Sequence, residues 1–121
     1  MRTSVISPMP EMAIACAFGK KRSKKLCEAL EVEWLDTAGM AARATYEGES
    51  IYAACFNLPK NTSYEQAMAI IAHESCHLAD RYFAKLGETE VGEETYAYTV
   101  QFISLHIMGK YRKWVLKQAK R

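Results

Sequence analysis

The sequence predicts a single α+β domain in which a small antiparallel sheet packs against two helices. Three observations favour this class. Apolar and polar residues alternate between residues 31 and 57, and helical periodicity replaces the alternation after Pro59. The chain has 121 residues, 50% apolar and 25% charged, which suits one modest core. We expect one domain over residues 1–121, with about 1–11 and 110–121 peripheral.

The N-terminal third carries the weakest structural signals. Residues 7–10 contain two prolines and predict an irregular opening, which an apolar segment at residues 12–18 follows. Residues 23–30 space their apolar side chains for one helical face and predict a short helix.

Three short segments then predict the strands of the sheet. They are centred on Val32 and Trp34, on residues 42–46 and on residues 51–56. Residues 47–50, with the sequence Glu-Gly-Glu-Ser, separate the last two segments and predict a hairpin turn. Pro59 cannot donate to a ladder, so we expect the last strand to end before it.

A long helix is predicted over residues 64–86. Its start has the form of a capping box, either Thr62 with Glu65 or Ser63 with Gln66. Gly87 provides its end.

A second helix is predicted over residues 93–108 and should fold back antiparallel to the first. Gly109 is expected to break it, and the basic segment 110–121 then resumes as an amphipathic helix.

The first predicted helix carries the motif HExxH, in the segment His73-Glu74-Ser75-Cys76-His77. Two histidines four residues apart share a helical face, so both can bind one metal ion with Glu74 beside it. A catalytic zinc site needs three protein ligands and one open position. The first turn of the second helix can present a carboxylate toward the histidines, which favours Glu94 as third ligand. Glu93 is the near alternative and Asp80 the runner-up.

These residues resemble the gluzincin branch of the zincins. The segment 72–101 is also similar to small HExxH proteins encoded in phages and prophages. The resemblance implies a metallopeptidase in which zinc (Zn2+) is bound by His73, His77 and Glu94, with Glu74 as general base. It also implies that a peptide or protein substrate lies along an edge strand beside the motif helix, for which residues 51–57 are expected.

Two supporting roles in that chemistry stay open between several residues. Where the large gluzincins have an acid four residues after the third ligand, this chain has Tyr98, so Tyr98, Asp80 or a backbone carbonyl would orient a ligand histidine. A hydrogen-bond donor to the developing oxyanion is expected from Tyr98, Tyr96 or His106.

Charge and cysteine content bear on partners and location. The formal charge is +2, with basic clusters at residues 20–25 and 110–121. They favour an alternative function as a non-catalytic, metal-stapled binding module. In this alternative the metal only holds the helices together, and the basic ends contact nucleic acid or an acidic protein. Four cysteines without a CxxC pair indicate reduced thiols in a cytoplasmic protein. No apolar run reaches the roughly 20 residues that span a membrane, and we expect neither a signal peptide nor a membrane anchor.

Overall fold

A computed structural model describes residues 3–5 and 12–120. The predicted irregular opening at residues 7–10 lies outside them. The elements in chain order are β1 (Ser4–Val5), β2 (Ala13–Phe18), α1 (Lys20–Leu30), β3 (Gly39–Tyr46), β4 (Glu49–Phe56), α2 (Tyr64–Lys85) and α3 (Glu93–Ala119). The α+β class is confirmed.

The four strands form one mixed sheet in the order β1-β2-β4-β3. β3 and β1 pair antiparallel with β4 and β2, whereas β2 and β4 run parallel, with Ala13 opposite Ile51 and Phe18 opposite Phe56. The expected sheet was purely antiparallel and did not include β2. Sequence patterning could not reveal β2 because helices cover both of its faces, so apolar residues occupy successive positions.

The predicted hairpin is confirmed as β3 and β4. Its turn consists of Glu47 and Gly48, whose φ angles of 50° and 80° are both positive, as in a type I′ turn. Tyr46 and Glu49 form the last pair of the ladder.

The strand expected around Val32 and Trp34 is wrong. The chain leaves α1 through Glu31 in a left-handed conformation, and the amide of Val32 donates to the carbonyl of Cys27. Val32 and Trp34 pack as irregular chain against the buried cluster of Cys27 and Met40. Their alternation reflects this one-sided burial and not a ladder.

The sheet lies between two helical layers. α1 covers one face, where Leu30 packs with Ala15, Ile51 and Ala53. α2 and α3 cover the other face, where the larger core contains Ile14, Tyr52, Phe56, Ile71, Leu78, Ile103 and Ile107. The motif helix is therefore held from two sides, by the sheet and by α3.

α2 begins as predicted, with Ser63 and Gln66 as the capping pair. The amide of Gln66 donates to the Ser63 hydroxyl at 3.1 Å, and the amide of Ser63 donates to the Gln66 side chain at 3.1 Å. The helix ends at Lys85, and Gly87 follows with a φ of 77°. Both predicted ends of α2 hold to within one residue.

α3 runs through Gly109 without a break, so the expected interruption is wrong. Tyr111 and Trp114, beyond the glycine, pack against the larger core, and this burial favours continuing the helix. Among the helices of the described residues, none is both long and apolar enough to cross a membrane.

Replacing Gly109 by alanine should stabilise the protein by about 0.5–1 kcal/mol, because glycine weakens a helix interior by that amount. An added Cβ at Gly109 meets no atom within 4 Å. The matched control is Gly48→Ala, which places a side chain at a φ of 80° and should cost about 1–2 kcal/mol. Urea unfolding measures both, and a loss of stability in Gly109→Ala would contradict a continuous α3.

Candidate metal centre

The two motif histidines lie together on the outer face of α2. A rotation of about 100° per residue separates His73 and His77 by only about 40° around the helix. Their Nε2 atoms are 3.2 Å apart, and the His73 side chain is 68% exposed. Two nitrogen ligands of a tetrahedral zinc ion, each about 2.0–2.1 Å from the metal, lie about 3.3 Å apart. The histidine pair therefore fits two positions of a zinc site.

Glu74 lies between the histidines and the sheet. Its side chain is only 8% exposed, and its Oε2 atom is 4.0 Å from Nε2 of His73. Burial raises the pKa of this carboxyl group, while His73, His77 and Arg81 oppose the shift. A raised pKa makes this carboxylate a stronger base than an exposed glutamate, which suits it to accept a proton.

Gly39, the first residue of β3, makes the burial of Glu74 sterically feasible. A Cβ at this position would lie 3.0 Å from Oε2 of Glu74 and 3.0 Å from Cγ2 of Ile70. Sequence reasoning missed Gly39, because nothing in its local sequence signals a contact with a residue 35 positions away.

Glu94, the predicted third ligand, is exposed in the first turn of α3. Tyr96 is the residue near the start of α3 that reaches α2, with its hydroxyl 3.4 Å from the carbonyl of Cys76. Helical rotation places Glu94 about 160° from Tyr96, on the face of α3 that points away from α2. Within the described ranges, no three His, Cys, Asp or Glu side chains form a metal-binding group. The structure thus brings the histidines together without Glu94, whose role as ligand stays a prediction.

The two alternative ligands also lie outside such a group. Glu93 is exposed at the start of α3. Asp80 accepts a hydrogen bond from the Tyr96 hydroxyl at 3.0 Å, which ties α3 to α2. Burial and this hydrogen bond raise the pKa of Tyr96 to about 12, so the phenol stays protonated at neutral pH and remains the donor.

The other residues considered for catalysis lie on different surfaces. Tyr98 is 53% exposed and stacks on Phe102, on the outer face of α3. His106 shares a hydrogen bond of 2.6 Å with the Ser4 hydroxyl of β1, at the opposite edge of the sheet from Gly39 and Glu74. A catalytic role for Tyr98 stays a prediction, and no contact between Tyr98 and the motif is described. Of the three candidates Tyr96, Tyr98 and His106, Tyr96 is the one described with a hydrogen bond to α2.

The edge strand beside the motif helix is β3. The expected substrate strand, residues 51–57, corresponds to β4, which pairs on both sides and has no open edge to offer. That expectation is wrong, because the parallel pairing of β2 places β4 inside the sheet. β3 has β4 as its pairing partner on one side and lies against α2 through Gly39.

Comparison with models of known protein families, with curated proteins and with solved structures finds no match to this chain. The resemblance to the zincins stays a prediction that rests on the motif residues.

Replacing Glu74 by glutamine should stabilise the metal-free protein at neutral pH. Because the folded state raises the pKa of Glu74, the protonated form stabilises the fold fully below the ordinary pKa of a glutamate. That stability is lost as the pH rises through the raised pKa. A glutamine side chain stays neutral over this pH range, so the variant does not lose that stability as the pH rises.

Thermal unfolding in the presence of a chelator at about pH 4 and about pH 7 measures the effect. The melting temperature of Glu74→Gln should exceed that of the unmodified chain more at the higher pH. Glu90→Gln, in the exposed connection before α3, is the control and should show no such trend. A Glu74→Gln variant that is less stable at pH 7 than at pH 4, relative to the unmodified chain, would contradict the raised pKa.

Proposed function

We propose that this protein is a zinc-dependent hydrolase of peptide bonds, with His73 and His77 as metal ligands and Glu74 as general base. One observation supports the proposal above others. The two Nε2 atoms are spaced as zinc ligands at 3.2 Å, and a buried carboxylate oxygen lies 4.0 Å from one of them. A pair of histidines on a solvated helix face has no structural need for a buried acid beside it.

The chemistry divides between the metal and Glu74. Zinc, when bound, lowers the pKa of its water to about 7 and polarises a substrate carbonyl. Glu74 would take a proton from the attacking water and pass it to the leaving amine. Its raised pKa makes the carboxylate a stronger proton acceptor than an exposed glutamate, and the proton it takes up is then held beside the leaving amine.

Glu94 remains the proposed third ligand, with Glu93 and Asp80 as alternatives. Because Glu94 lies on the outer face of α3, its use requires the first turn of that helix to rotate toward α2. The only side-chain hydrogen bonds described between this turn and α2 are those of Tyr96 to Asp80 and Cys76.

The substrate is proposed to bind in extended form along the outer edge of β3. Main-chain pairing to a strand edge is a general way of holding a peptide. Gly39 begins this strand within contact distance of Glu74, so a peptide paired there would pass close to the general base. We also propose a cytoplasmic location, which the free thiols of Cys16, Cys27, Cys55 and Cys76 support.

Zinc binding tests the ligand assignment. One zinc ion per chain is expected by elemental analysis, and His73→Ala or His77→Ala should abolish binding measured by competition with a chromogenic chelator. Glu94→Gln should weaken binding at least about tenfold, whereas Glu93→Gln serves as the matched control with little effect. Wild-type affinity in Glu94→Gln would remove this residue from the ligand set, and wild-type affinity in His73→Ala would remove the site itself.

Hydrolysis of a quenched fluorescent peptide library or casein tests the catalytic role. Glu74→Gln should keep the zinc ion but slow turnover by about 100-fold or more, since general base catalysis contributes that much. Turnover that survives in Glu74→Gln, or that survives chelation, would overturn the proposed mechanism.

A further inference from the structure

The fold brings the two basic clusters of the sequence to one groove. This basic groove is lined by Phe18 at the end of β2, Arg22 of α1, and Lys110, Lys113, Trp114 and Lys117 of α3. It has a volume of about 280 Å³. Arg22 and Lys110 are 88 positions apart in the chain, so their meeting is a property of the fold and not of a local charge run.

The positive charge of the groove is concentrated along one face of α3. Lys110, Lys113 and Lys117 follow one another at helical spacing and form a stripe about 10 Å long on α3. A second groove of about 360 Å³ shares Phe18 and Arg22 and adds Lys25 of α1. No aspartate or glutamate is found among the described residues that line either groove.

A partly buried thiol lies in the same place and adds no negative charge. Cys16 lines both grooves, and burial raises its pKa to about 12, although Lys110 opposes the shift. The thiol is therefore neutral at physiological pH, and the lysine charges are left to act on an external group.

Aromatic rings accompany the charges. Trp114 is partly exposed and lies with its ring 5.9 Å from that of Phe18 and 6.0 Å from that of Tyr111. These contacts fix the indole against the core and leave part of it to line the groove. A fixed aromatic ring beside a row of lysines combines the two elements that bind single-stranded nucleic acids, a stacking surface and a phosphate track.

We propose that the basic groove binds single-stranded nucleic acid, with phosphates along Lys110, Lys113 and Lys117 and a base against Trp114. A volume of about 280 Å³ is large enough for one base, and a base can stack on Trp114 only where it is unpaired. An acidic protein would use the lysines equally well but would gain nothing specific from the indole.

The groove is separate from the histidine pair. It lies on the β2 side of the sheet, whereas Glu74 contacts β3 at the other edge, with β4 between them. The proposal therefore stands or fails independently of the metal centre.

Binding of a twelve-nucleotide oligo(dT) to the full chain tests the proposal. In a Trp34→Phe background, the remaining tryptophan is Trp114, and its fluorescence should be quenched by the bound oligonucleotide. With the four basic residues of the groove engaged, the logarithm of the association constant should fall with the logarithm of salt concentration with a slope of about −2.8. Unquenched fluorescence at saturation would overturn the placement of a base on Trp114.

Charge variants locate the site. Lys113→Gln with Lys117→Gln should weaken binding at least about tenfold at low salt and reduce the slope to about −1.4. The control is Lys20→Gln with Lys24→Gln, which removes the same charge from exposed α1 positions outside both grooves. Equal losses in the two double variants would overturn the groove as the site. Equally tight binding of poly-glutamate of matched charge would overturn the assignment to nucleic acid.

Discussion

The packing of α2 between the sheet and α3 fixes the directions of the motif side chains. Ile71, Leu78 and Ala79 are fully buried on one side of this helix. Once that side faces the core, the helical rotation of about 100° per residue fixes the direction in which each motif side chain points. Glu74 must lie against the start of β3, and the two histidines must face solvent. The exposure of the imidazoles and the burial of the acid are thus two results of one packing constraint.

Sequence patterns correctly predicted the features that depend on residues close together in the chain. The capping box, the hairpin turn and the shared face of His73 and His77 all involve residues within a few positions of each other. Tertiary packing decided the rest. The sequence predicts that Glu94 faces the histidines, but Tyr96, through its contacts with Cys76 and Asp80, sets the rotation of α3. Gly109 remained helical because of aromatic packing several residues away.

The two candidate sites lie on opposite sides of the central strand β4. The histidine pair and Glu74 are associated with β3, and the basic groove with β2, so a ligand in either place leaves the other open. The central strand β4 is buried along most of its length and joins the two regions. Hydrolysis beside β3 and anion binding beside β2 are compatible in a chain of this size.

The parallel pairing of β2 with β4 has a consequence for the order of folding. The hairpin of β3 and β4 closes through a two-residue turn, whereas Ala13 must meet Ile51 across α1 and the whole of β3. Loop-closure entropy rises with the length of chain enclosed, so the hairpin can form at little cost and the parallel pair cannot. Until β2 pairs with it, the edge of β4 that β2 covers has unpaired backbone groups and is open to pairing with another copy of the chain.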